Sequence, residues 1–221
     1  MKNPFGTKIL LLVFFFTSSL ANIQAQENRF ASEVAALVVK YADLPTYKGG
    51  IVFTGSSSIR FWKTLEKDFP KSKIVNTGFG GSQTDDLLLY LDELVINFEP
   101  KKIFIYVGEN DINAGKPVRQ VLSEYAVLME RVSTKFPETE FYFIGTKPSP
   151  SRWEKRGQMM ALNEEIRMLA QNKEKVTYID VWTPMLDKSG SPNEELFVED
   201  RLHMNAKGYK IWKKAVKGHL R

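Results

Sequence analysis

The stretch "VFTGSSSIRFW", Val52 to Trp62, joins an apolar, strand-like run to an Ile-Arg-Phe-Trp segment that reads as the first turn of a helix. A strand that passes into a helix through a single glycine is half of a parallel βα unit. The three serines at the junction have two readings. Their hydroxyls could satisfy the orphan N–H groups of the helix start, or one could be a nucleophile presented at a strand end.

Outward from this junction, five short runs rich in β-branched and aromatic residues recur: Ile51 to Thr54, Lys73 to Asn76, Ile103 to Val107, Glu140 to Ile144 and Val176 to Val181. Each is near-continuously apolar, as strands buried on both faces must be. Segments of helical period separate them. Met159, Leu162, Ile166 and Leu169 share one helix face, where the methionines are core filler. The alternation predicts an α/β fold with a parallel sheet. Four stretches read as irregular: Gly78 to Ser82, Gly108 to Lys116, Lys147 to Trp153 and Asp187 to Asp200. Three follow strand ends directly and the fourth lies a few residues past the fifth strand. A ligand crevice is expected at that carboxyl edge, where the strand order reverses.

The chain of 221 residues opens with Lys2 and Lys8, the apolar run Ile9 to Phe16 and small residues at Ser19, Ala21 and Ala25. Residues 1–25 therefore read as a secretory signal peptide, and 26–221 as one domain, secreted or periplasmic, with no stable membrane insertion once the leader is removed. The absence of cysteine excludes disulfides and an N-terminal lipidated cysteine, so stability must come from the core. A formal net charge of +5, two units of it from the leader lysines, is too mild to imply a nucleic-acid partner. The basic residues gather in "KGYKIWKKAVKGHLR", Lys207 to Arg221, which reads as the solvated face of a last helix. Within it Tyr209 is expected to pack, and Asn205 just before it to cap.

Several signatures fail. "GSSSI" lacks the last glycine of G-x-S-x-G, "GFGGSQ" has Gln83 where a dinucleotide fingerprint needs glycine, and no G-K-[ST] occurs. Two histidines and no cysteine make a zinc site a poor expectation, and no cofactor is called for. What remains is a set of polar residues at successive strand ends: "TGSSSI", "NTGFGGS", "VGENDIN", and near the C-terminus "EDRLHMNAKGY", with Asp200 three residues before His203. Acyl hydrolysis needs a nucleophile, a base, a carboxylate to orient the base, and donors for the oxyanion. Each part is present.

The ordered segments "GSSS", "NTGFGG", "GEND" and "DRLH" resemble the blocks of the SGNH hydrolases, also called GDSL esterases and lipases, from about Ile51 to about Leu220. The order and spacing are similar to the flavodoxin-like members, among them the catalytic subunits of platelet-activating-factor acetylhydrolase. The resemblance implies a three-layer, doubly wound five-stranded sheet. It places the nucleophile at Ser57, with Ser56 where the family has aspartate. It also implies an oxyanion hole from the N–H groups of Ser57 and Gly81 and the Asn110 amide, and Asp200 and His203 as the other catalytic residues. The expected activity is that of an exported serine carboxylic ester hydrolase removing short acyl groups, such as acetyl, from a small-molecule or glycan ester. A lysophospholipase or other lipid acylhydrolase is the alternative within the class, and a catalytically inactive carbohydrate-binding module the alternative outside it.

Overall fold

The computed structural model describes residues 29–220, so the leader reading lies outside the described residues. Five parallel strands form one sheet: β1 (Ile51–Gly55), β2 (Ile74–Asn76), β3 (Lys102–Tyr106), β4 (Glu140–Ile144) and β5 (Val176–Ile179), in the order β2-β1-β3-β4-β5. The chain moves from β1 outward to β2, then crosses back to β3 on the other side. The switch point therefore lies between β1 and β3.

Among the described residues ten α-helices cover the sheet: α1 (29–40), α2 (Leu44–Tyr47), α3 (Ser57–Arg60), α4 (Leu65–Asp68), α5 (Thr84–Leu89), α6 (Leu91–Leu94), α7 (Glu109–Asn113), α8 (Val118–Lys135), α9 (Arg156–Asn172) and α10 (Ala206–Lys217). Alternate strand residues face opposite layers, as a pleated strand requires. Val52, Ile103, Ile105, Phe141 and Phe143 pack with residues of α1, α5, α6, α8 and α9. On the other face Phe53, Phe104 and Tyr142 pack with Ile59 of α3, Leu65 of α4, and Trp212 and Val216 of α10. The register sets Phe53 beside Phe104 and Phe104 beside Tyr142. Their rings stack at 4.4 and 4.5 Å between centroids, nearly parallel, which locks three strands together on the α10 side.

The strand runs stand where the sequence places them, with ends shifted by a residue or two. β5 stops at Ile179 because the Asp180 carboxylate accepts the N–H groups of Trp182 and Thr183 and turns the chain. The stretch from Gly108 to Lys116 is not wholly irregular as expected. It holds the one-turn helix α7, closed by Ile112 N–H to Gly108 O and Ala114 N–H to Asn110 O. Among the described residues no helix is long and apolar enough to cross a membrane.

Candidate active site

Ser57 is the first residue of α3, two residues past the end of β1. Gly55 makes the turn possible: its φ is +116°, and a Cβ there would lie 2.0 Å from the Tyr106 carbonyl oxygen. Ser56 follows in extended conformation, its N–H bonded to that same carbonyl at 2.8 Å. The three serines divide the work. Ser56 occupies the cap position without making a side-chain cap bond, Ser58 is buried, and Ser57 Oγ lies 2.9 Å from His203 Nε2. Tyr209 of α10 does more than pack, since its hydroxyl donates to the Ser58 carbonyl at 2.9 Å and pins the start of α3.

The other imidazole nitrogen, Nδ1, lies 2.5 Å from Asp200 Oδ2. Asp200 Oδ1 accepts the N–H groups of Leu202 and His203, both at 2.8 Å, so the D-x-x-H spacing forms a tight turn around its own carboxylate. Arg201 within that turn is left-handed at φ +57°. The turn is closed by Val198 N–H to His203 O, and Ser151 N–H from the loop after β4 holds the Arg201 carbonyl. Partial burial pushes the Asp200 carboxyl up, but the hydrogen bonds from the His203 ring and the two backbone N–H groups outweigh it and hold the group at about 2. The edge of the exposed Phe61 ring meets the His203 imidazole at 4.9 Å between centroids. Asn205, as expected, caps α10 by accepting the N–H groups of Lys207 and Gly208.

Asn110 Nδ2 donates to Ser56 Oγ at 2.6 Å and to the Ser82 carbonyl at 2.9 Å. Its amide thus bridges the loops after β1 and β2. Gly81, beside Ser82, takes φ +75°, a conformation that side chains rarely adopt. The neighbouring Asp111 carboxylate is fully buried and accepts the N–H of Thr84 at the start of α5. Asp85, Asp111 and Glu124 bring carboxylate oxygens within 4.8 Å of one another, a spacing that could hold a metal ion. The Lys116 ammonium stands among them instead, 3.1, 2.7 and 2.9 Å from the three.

A second charged cluster escapes the sequence reading. Glu109, one residue before Asn110, is buried, and its carboxylate meets the buried Lys147 ammonium at 2.5 Å, the Ser149 hydroxyl at 2.7 Å, the Tyr106 hydroxyl and the Arg152 guanidinium. Burial alone would push the Glu109 carboxyl up; the Lys147 and Arg152 charges hold it below the usual carboxylate range. The available signal was positional: an acid right after β3 and a lysine right after β4, both at the crevice edge.

The constellation can pass a serine proton to an imidazole whose other nitrogen is held by a carboxylate. The sequence matches the GDSL-like lipase/acylhydrolase family over residues 46–211. A Streptococcus pneumonia protein provisionally named a platelet activating factor superposes with a TM-score of 0.76 at 25% identity, covering 91% of this chain and 99% of its own. A GDSL-like lipase from Bacteroides thetaiotaomicron gives 0.70 at 22% identity, covering 87% and 96%. A mutant acetyl-xylooligosaccharide esterase from Geobacillus gives 0.63 at 15% identity, covering 79% and 95%. No match was found among curated protein sequences. With three quarters of its length inside that family match and the SGNH architecture around it, the chain belongs to the GDSL-like lipase/acylhydrolase family of ester-hydrolysing enzymes.

Proposed function

We propose that the protein is an exported serine esterase that removes short acyl groups, acetyl foremost, from a carbohydrate alcohol, with Ser57, His203 and Asp200 as its catalytic residues. The observation that carries this reading is the continuous contact from Asp200 through His203 to Ser57 Oγ. In the first step Ser57 Oγ bonds to the ester carbonyl carbon while His203 Nε2 takes the hydroxyl proton. Asp200 keeps the imidazole in the tautomer that presents a lone pair to Ser57 and stabilises the imidazolium. The carbonyl oxygen, now negative, receives the N–H groups of Ser57 and Gly81 and one amide hydrogen of Asn110, which exchanges Ser56 Oγ for the oxyanion and keeps its bond to Ser82. Collapse expels the alcohol with the proton from His203. Water then attacks the acyl-enzyme by the same groups and releases the acid. No metal or organic cofactor enters any step.

The short-acyl, carbohydrate preference draws on the openness of the site. The His203 and Asp200 side chains are 25% and 47% exposed. The likeness to an acetyl-xylooligosaccharide esterase points the same way. The test is hydrolysis of 4-nitrophenyl esters of increasing chain length. Ser57→Ala should lower turnover on the acetate about a million-fold, whereas Ser56→Ala and Ser58→Ala, each removing one hydrogen bond, should lose less than about tenfold. Similar losses at all three positions would unseat Ser57. A rate that climbs toward long acyl chains would replace the carbohydrate esterase with a lipid acylhydrolase.

A further inference from the structure

The lysine-rich last helix holds more than a solvated face. In α10, Trp212 and Val216 are fully buried against the sheet, while Tyr209, Lys210 and Lys213, spaced i, i+1 and i+4, turn toward α3 and α4. There they form one wall of a cavity of about 610 Å³ whose other wall includes Phe61, Lys63 and Asp68. That volume falls in the range of small-molecule sites.

Its charge is lopsided. Lys213 is paired with Asp68 at 2.8 Å, and Asp68 is also held by the Trp62 indole and the Thr64 hydroxyl. Lys63 and Lys210 have no carboxylate partner among the described residues. Two lysines without a carboxylate partner among the described residues therefore line one concave space, whose apolar walls focus their field. The space also has a defined relation to the chemistry. The link runs through Phe61, which lines the cavity and meets the His203 imidazole edge-on, with the Lys63 ammonium 5.7 Å from the centre of the Phe61 ring. The imidazole delivers its proton to the departing alcohol, so that alcohol must sit on the His203 side of the site.

We infer that this cavity receives the alcohol half of the ester and that this half is anionic: a saccharide bearing a carboxylate, such as a uronic acid unit. The assignment rests on the esterase reading above and extends it to the leaving group. Lysine is suited to the task as a mobile point charge, able to follow a carboxylate on a sugar ring without fixing its plane. The Phe61 and Tyr209 rings supply flat apolar faces beside these charges.

The experiment compares kcat/KM for an O-acetylated methyl galacturonoside with that for its neutral methyl ester, in the wild type and in the Lys63→Gln/Lys210→Gln double variant. A binding arm titrates trigalacturonate into the Ser57→Ala protein by calorimetry, with and without the two lysine substitutions. At low salt the wild type should favour the charged ester by about tenfold, and the ratio should fall toward one in the double variant or in 0.5 M sodium chloride, roughly as two screened charges allow. Trigalacturonate binding should weaken by a similar factor in the lysine variant. The ratio is read within one protein, so a partial loss of folded enzyme does not disturb it. Equal rates on the two esters, or a preference that survives the substitutions, would overturn the inference. A stronger preference for 1-acetylglycerol 3-phosphate than for the galacturonoside would overturn the saccharide assignment. A wild type inert toward every ester would defeat the esterase reading, while the calorimetry would still decide the cavity.

Discussion

Asp200 spends both carboxylate oxygens on its own turn, one on two backbone N–H groups and one on the imidazole, which is why a half-exposed acid is held at about 2. The sign of that displacement sets a pH prediction. A carboxyl lowered on folding is ionised throughout the working range, and its contribution is lost only as pH falls from about 4 toward 2. A profile of kcat/KM should therefore show no step from the Asp200 carboxyl above about pH 4. A carboxylate step in that range would speak against Asp200 as the proposed orienting group. Asn110 offers a sharper test at the same scale. Its amide is held by Ser82 before any substrate arrives and has only to exchange Ser56 Oγ for the oxyanion, so little reorganisation is needed when charge develops. Asn110→Ala should lower kcat by roughly a hundred- to a thousand-fold with KM little changed, as steady-state kinetics would show. An equal loss in KM would make Asn110 a substrate-positioning group. Ser56, read from the sequence as a substitute for an acid, is in the fold the resting acceptor for that amide.

Among the elements, α7 is only one turn long, yet it presents Glu109, Asn110 and Asp111 in three directions. Glu109 reaches Lys147 and Ser149 beyond β4, Asn110 reaches the loops beyond β1 and β2, and Asp111 reaches α5 and Lys116. The stretch was expected to be irregular because Gly, Asn and Asp favour turns, and a single helical turn has too few residues to show a period. Charge misleads in the same place. Lysine and glutamate are almost never fully buried unless paired, and the pairing is tertiary, so Lys147 and Glu109 carry no local signal of their burial. The clamp has a measurable consequence. Lys147→Met leaves a carboxylate buried beside Arg152 alone, and should reduce stability by about 3–5 kcal/mol in urea titration. Adding Glu109→Gln should restore part of that loss, because the stranded charge is then gone. A Lys147→Met protein as stable as the wild type would mean that water reaches Glu109.

Over the whole molecule, the central strands β1, β3 and β4 were legible because they are buried on both faces and read as near-continuous apolar runs, and the edge strands β2 and β5, less fully buried, because β-branched and aromatic residues fill them. The contact among Ser57, Asp200 and His203 was legible in part: the serine stands at a βα junction and the acid three residues before the histidine, but the distance in sequence from Ser57 to His203 carries no local signal. The cavity beside α10 was not legible, because it is shaped by helices whose sequences lie almost 150 residues apart. That separation has a further consequence. Ser57 meets the His203 imidazole across 146 residues, and Tyr209 fastens the Ser58 carbonyl across 151. Contacts between segments so far apart form slowly, so on the proposed assignment the Ser57 hydroxyl gains its imidazole only once α10 and the turn before it have docked on α3, and regain of activity on refolding times that docking.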